Sequence, residues 1–215
     1  MSSPLDAIIV IDYQNIHLTA HDTWAPNGTP RHETLVHPLH FANQVLKARA
    51  AAIAVAEMSG TNAPARPHAV LKQVVAYRGL PSNKHAPQAY ARSQAQKSEW
   101  TKDPRVTVNY RPLRYRWSHE LGDYEPREKG IDVLVALHVV AAVDEGACPV
   151  VILASHDTDL EPALEVASSR AGTASFVETA GWEGCKKLKA RGVRLPDTRL
   201  GATAFVNSRD RKPYA

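Results

Sequence analysis

Apolar positions along the chain gather into short, β-branched runs separated by longer segments of mixed character. Runs near 7–11, 69–77, 105–110, 149–154 and 173–178 have the length and composition of strands. Helical segments alternate with them. Residues 34–58 are Ala-rich and poor in Gly, and residues 86–101 are polar, as an exposed helix would be. Residues 130–145 are apolar on nearly every face, which predicts a buried helix. Residues 160–171 carry Pro162, which a first helical turn tolerates, and run up to Gly172, a natural helix stop. Residues 19–32 hold two prolines and a glycine and read as a loop or insertion; residues 193–215 read as an irregular extension. Strands alternating with helices predict an α/β fold with a parallel sheet covered on both faces.

The 215 residues suffice for one α/β domain with additions, and 44% of them are apolar, enough for a sizeable core. Cys148 and Cys185 are far apart and form no zinc pattern, so they read as reduced thiols of a cytoplasmic protein. The N-terminus lacks the basic region of a signal peptide, and no apolar run reaches the roughly 20 residues that span a bilayer. Charge is segregated. Residues 186–212 hold nine Lys or Arg against two Asp, so the remainder is net negative although the whole chain is +4. A basic surface beside acidic pockets suits an enzyme that grips a polyanion; a solubilising tail would look the same.

The acidic residues change the picture most. AIIVID ends at Asp12, VVILASHDTD ends at Asp157 and Asp159, and Asp132 opens the apolar segment IDVLVALHVV. In parallel sheets, ligands bind at the carboxyl ends of strands, where Asp12 and Asp157 would sit. A carboxylate at the end of a buried element is costly unless solvated, capped or bound to a cation. Asp132 and Asp159 could serve as helix N-terminal acids, and Asp12 could cap a turn with Asn15. One metal site accounts for all four. Carboxylate oxygens suit Mg²⁺ or Mn²⁺ rather than zinc, and such sites commonly carry phosphoryl transfer. His156 is the one histidine beside the cluster, and its side chain is expected to point away from Asp157.

The motifs DYQN at 12–15, KGID at 129–132 and SHDTDLEPAL at 155–164, in that order, resemble the NYN domain of the PIN-like nuclease superfamily. YRGLP at 77–81 and RPLRY at 111–115 fit the same pattern. The resemblance spans roughly residues 5–180, with a nuclease-like domain at 1–182 and a basic C-terminal extension at 183–215. It implies a PIN-like three-layer α/β/α sandwich with a central, mostly parallel sheet, and a metal-dependent endoribonuclease that leaves 5′-phosphate and 3′-hydroxyl ends. Asp12, Asp132 and Asp157 would then hold Mg²⁺ or Mn²⁺, with Asp159 as a fourth acid. Asn15 would hold Asp12 or a substrate phosphate, and Ser155 would bond a phosphate or orient a carboxylate. The resemblance also allows a homodimer. Many relatives carry an Asp where this chain has His138. Six residues beyond Asp132 on a helix lies on a different face, so His138 is expected in the core rather than among the ligands.

Residues 110–119, YRPLRYRWSH, interleave aromatics with Arg111, Arg114 and Arg116. On a strand, Arg114 and Arg116 share one face, and Tyr115 and Trp117 the other. That pairing of stacking and cationic surfaces suits single-stranded RNA, although a solvated edge strand has the same composition. Two alternatives remain at this level. One is an RNA-binding module without catalysis. The other is a haloacid-dehalogenase-type phosphatase, which DTD after a strand imitates but for which no Thr/Ser and Lys partners stand at suitable positions.

Overall fold

The computed structural model describes residues 3–60, 66–120, 122–173 and 175–214. Its strands, in chain order, are β1 (Leu5–Asp12), β2 (Ala69–Leu80), β3 (Val106–Pro112), β4 (Arg114–Ser118), β5 (Asp123–Arg127), β6 (Val150–Ala154), β7 (Phe176–Trp182) and β8 (Asp197–Leu200). Its helices are α1 (Tyr13–Trp24), α2 (Pro38–Met58), α3 (Pro87–Trp100), α4 (Ile131–Glu145), α5 (Glu161–Ala171) and α6 (Ala202–Ser208). Six strands form one sheet in the order β3-β2-β1-β6-β7-β8, every pair parallel. β4 and β5 form a separate antiparallel hairpin.

The layers follow from the alternation of side chains along each strand. Ala7, Ile9 and Ile11 of β1 pack against α1, α2, α3 and α6, through residues such as Ile16, Phe41, Val45, Trp100 and Phe205. Ile8 and Val10 point the other way, onto Val135 and Val139 of α4 and Leu164 of α5. The result is a three-layer α/β/α sandwich. Because both faces of β1 are covered, its sequence is a continuous apolar run rather than an alternation.

The chain runs outward from β1 through β2 to β3, then returns to place β6 on the other side of β1. Val10 registers with Leu153, and Ile11 with Ala154. The strand order reverses between β1 and β6, and such a reversal leaves a crevice beyond the carboxyl ends of the two strands. Asp12 closes β1, and Ser155 to Asp159 follow β6.

Three expectations need correction. Residues 19–24, read as loop, continue α1. Tyr13, Ile16, His17 and Ala20 are its buried residues, a helical stripe disguised by two polar-looking members. Residues 193–215, read as irregular, contain β8 and α6; β8 registers with β7 from Thr179↔Asp197 to Trp182↔Leu200. The helix at 130–145 is not covered on nearly every face: Val133 is 53% and Leu137 62% exposed. The strand expected at 173–178 begins beside residue 174, which lies outside the described residues, and β7 reaches beyond it to Trp182. Among the described residues, no helix is long and apolar enough to cross a membrane.

Four histidines are held neutral by the packing. Burial, helped by the charge of Arg78, pushes His17 down to about 4, and its Nε2 lies 3.0 Å from the Arg31 carbonyl. Burial and neighbouring His40 push His37 to about 4, and burial lowers His138 and His156. A folded pKa below the unfolded value means that the unfolded chain takes up protons first, so stability is lost as pH falls below about 6.5. His17 alone accounts for about 2 kcal/mol by pH 5. Asp12 and Glu128, discussed below, have raised pKa values and oppose this trend as two groups against four. The urea midpoint is therefore expected to be lower at pH 5 than at pH 7; an equal or higher midpoint would contradict this packing.

Candidate functional site

Asp12 is 6% exposed, at the point where β1 passes into α1. Its carboxylate accepts the Ser155 hydroxyl at 2.9 Å and the backbone N–H of Asn15. Burial outweighs these bonds and, with the charges of Glu128 and Asp157, raises its pKa from 3.8 to about 6. Ser155 in turn accepts the backbone N–H of Asp157 at 3.0 Å. The Asp157 carboxylate accepts the N–H of Asp159 at 3.0 Å and caps the short 3₁₀ turn that leads into α5. The Asn15 side-chain oxygen accepts the N–H of His156 at 2.8 Å. These bonds tie the segment after β1 to the segment after β6, across the reversal of strand order.

A cavity of about 360 Å³ opens beside this network, lined by Asp12, Glu128, Lys129, Gly130, Ile131, Asp132 and Asp157. Asp132 arrives on the first turn of α4, an acid at the positive end of a helix. Gly130, before the helix, has φ +76°, a conformation that L side chains rarely adopt. A Cβ there would also stand 3.3 Å from the Arg111 guanidinium. The glycine of KGID thus both turns the chain and lets Arg111 lie against the cavity rim.

Glu128 is a member that the sequence reading missed. One of its carboxylate oxygens accepts the N–H of Gly79 at 3.0 Å, and a Cβ at Gly79 would stand 2.6 Å from that same oxygen. Burial raises the Glu128 pKa, the charge of Asp132 adds to the rise, and the Gly79 bond and Arg78 counter it. The signal was faint: an acid just before KGID, brought to the site only because β4 and β5 fold back as a hairpin.

Asp12, Asp132 and Asp157 therefore share one cavity, whereas Asp159 is exposed and does not line it. Ser155 and Asn15 are occupied within the protein, by the Asp12 carboxylate and the His156 N–H. His156 points away from the acids: its Nε2 accepts the Trp182 N–H at 3.1 Å and its Nδ1 lies 2.9 Å from the Lys186 carbonyl. His138 sits 2.7 Å from the Tyr77 hydroxyl and lines a different cavity. Arg114 and Arg116 are exposed on β4. Tyr115 stacks on His85 at 4.6 Å, and Trp117 meets Tyr124 edge-on at 5.3 Å, although Trp117 and Tyr124 remain nearly half exposed.

The acid cavity suits a hard divalent cation by its chemistry. The donors are carboxylate oxygens, Asp12 is buried at a cost, and none of Asp12, Asp132, Asp157 and Glu128 has an ion-pair partner among the described residues. In the same described set, no three His, Cys, Asp or Glu side chains close to metal-ligand spacing.

The sequence matches no protein-family profile and no curated protein. Among solved structures, the chain is similar to a protein of unknown function from Vibrio parahaemolyticus, with a TM-score of 0.53 and 16% identity. The likeness covers 93% of this chain and 96% of that one. It is a likeness of fold.

Proposed function

We propose that the protein is a metal-dependent endoribonuclease acting on single-stranded RNA. The observation that carries this reading is the gathering of Asp12, Glu128, Asp132 and Asp157 around one cavity at the reversal of strand order, with Arg111 against its rim. The resemblance of DYQN, KGID and SHDTDLEPAL to the NYN domain supports it. Asp12, Asp132 and Asp157 would hold Mg²⁺ or Mn²⁺, and Ser155 fixes the orientation of the Asp12 carboxylate. The ion, when bound, supplies Lewis acidity: it eases proton loss from water and offsets charge on the phosphodiester. Glu128, raised above the usual carboxylate range, is suited to accept that proton. Arg111 is placed to receive a phosphate at the rim.

The deciding experiment is cleavage of labelled single-stranded RNA with Mn²⁺, with Mg²⁺ and with EDTA, wild type beside Asp157→Asn. Metal-dependent cutting that the variant lacks is the expected result. A second reading, RNA binding without cleavage, draws on the spacing of the acids, no three of which close to ligand distance among the described residues. It predicts RNA retention by folded wild type with no cutting under any metal.

Arg114 and Arg116, on the solvent side of the hairpin, are expected to contribute to RNA affinity by neutralising phosphates. Replacing both by Ala should weaken binding and lower the salt-dependence slope by about 2, roughly one for each phosphate left without its cation. Affinity unchanged at two salt concentrations would remove the hairpin from the binding surface.

A further inference from the structure

We propose that a second cavity, on the opposite face of the β1–β2 edge from the acids, is a subsite for a phosphate group of the bound strand. This rests on the nucleic-acid reading above and extends it to substrate positioning. The alternation along β2 separates the two cavities. Tyr77 turns toward α4 and His138, whereas the next residue, Arg78, turns toward α3 and bonds the Gln96 side chain. Gly79 then donates to Glu128. Two consecutive residues, Arg78 and Gly79, thus link the basic cavity to the acid one.

The basic cavity has a volume of about 300 Å³, and its walls include Gln14, Arg31, His32, Arg78, Arg92 and Gln96. No Asp or Glu lines it. Among the described residues none of the three arginines that line the cavity has a carboxylate partner, and the guanidinium fork matches the geometry of a phosphate. Arg78 is held in place. Its guanidinium lies 4.8 Å from the Tyr13 ring centroid and 5.8 Å from that of Trp100, both buried. Its charge reaches the neighbours on both sides, lowering the His17 pKa and countering the rise at Glu128. Leu18 and Leu35 give the cavity an apolar wall. Past His32 and Gln96, which it shares, a wider cavity of about 560 Å³ carries Arg209, Arg211 and Lys212 together with Glu33 and Asp210. A strand whose scissile phosphate lies at the acids could therefore place another phosphate among Arg31, Arg78 and Arg92 and continue toward the C-terminal arginines.

The probe for the cavity itself is inorganic phosphate, titrated onto the full chain without divalent metal and followed by the melting temperature. Wild type is compared with the double variant Arg31→Gln, Arg92→Gln and with Arg170→Gln, whose guanidinium pairs with Asp144 on the layer formed by α4 and α5. A rise in wild type and Arg170→Gln that the double variant lacks is expected. No rise in wild type, or equal rises in all three, overturns the subsite. RNA affinity is then measured in the Asp157→Asn background without metal, with and without the double substitution. A drop of about tenfold or more is expected when two phosphate-binding arginines are removed, and unchanged affinity overturns the proposal. A drop seen only with 5′-phosphorylated oligonucleotides assigns the cavity to a terminal phosphate, and an equal drop with 5′-hydroxyl ones to an internal phosphodiester. Failure of cleavage with the phosphate response intact would sink the nuclease reading and leave the subsite standing; cleavage with no phosphate response would do the reverse.

Discussion

Asp157→Asn is expected to slow metal-dependent RNA cleavage by roughly 10²–10³-fold, the scale seen when a group that stabilises reacting charge is removed. The fold should be unaffected. The Asp157 carboxylate caps one short turn by accepting the Asp159 N–H, a role that the Asn side-chain oxygen can fill. Near-wild-type melting beside abolished cleavage would place Asp157 in the chemistry. Wild-type rates in the variant would remove it, and with it the reading of the cavity as a metal-dependent nuclease site.

The second large effect is on stability and has the opposite sign from most core substitutions. Asp12 is buried, and its pKa is raised from 3.8 to about 6. A carboxyl whose folded pKa is raised binds its proton more tightly in the native state. Its burden on stability is therefore absent below about pH 4, grows as pH rises through 6 and is complete above it. The shift corresponds to about 3 kcal/mol at neutral pH. Asp12→Asn removes the charge while keeping an oxygen for the Ser155 hydroxyl and the Asn15 N–H. Without metal, the variant is expected to be more stable than wild type by about 2 kcal/mol at pH 7.5, the advantage shrinking by pH 5. Mn²⁺ should stabilise wild type and not the variant, and cleavage should be abolished. Urea unfolding at both pH values, with EDTA and with Mn²⁺, reads the stability effects, and the RNA assay reads the cleavage. A variant less stable than wild type at pH 7.5 would mean that the carboxylate is held by more than the bonds described.

Much of this architecture could be read from the chain because the central strands are buried on both faces. β1 and β6 are apolar along the stretches that lead to their acids, so both the strands and the place of Asp12 and Asp157 beyond them were visible. Helix α5, which runs up to its stop at Gly172, was equally plain. What escaped depends on tertiary partners. His17 counts as polar by type and Tyr13 carries a hydroxyl, yet both fill the buried stripe of α1. In β8, Thr198 and Leu200 are buried while Asp197 and Arg199 pair with each other, a pattern of four residues that acquires meaning only beside β7. Glu128 lies outside any regular element and reaches the cavity through a hairpin whose return could not be inferred from local composition. The basic cavity escaped for the same reason: Arg31, Arg78 and Arg92 come from three separate segments and form no run.

The closing of the core by β8, α6 and the residues after them has a consequence during synthesis. Trp182 is fully buried, and its ring packs edge-on against Phe205 of α6 as well as Trp24 and Phe41. Trp100 donates its indole N–H to Asp210, two residues beyond α6. While those residues are still inside the ribosome, β7 is an uncovered sheet margin with a bare indole beside it, the kind of surface that recruits chaperones or other unfinished chains. A premature stop before residue 200 would leave it in that state permanently. Only a chain translated through α6 can shield the strand that follows the acid-bearing ones, so the strand stays exposed until β8 and α6 have emerged.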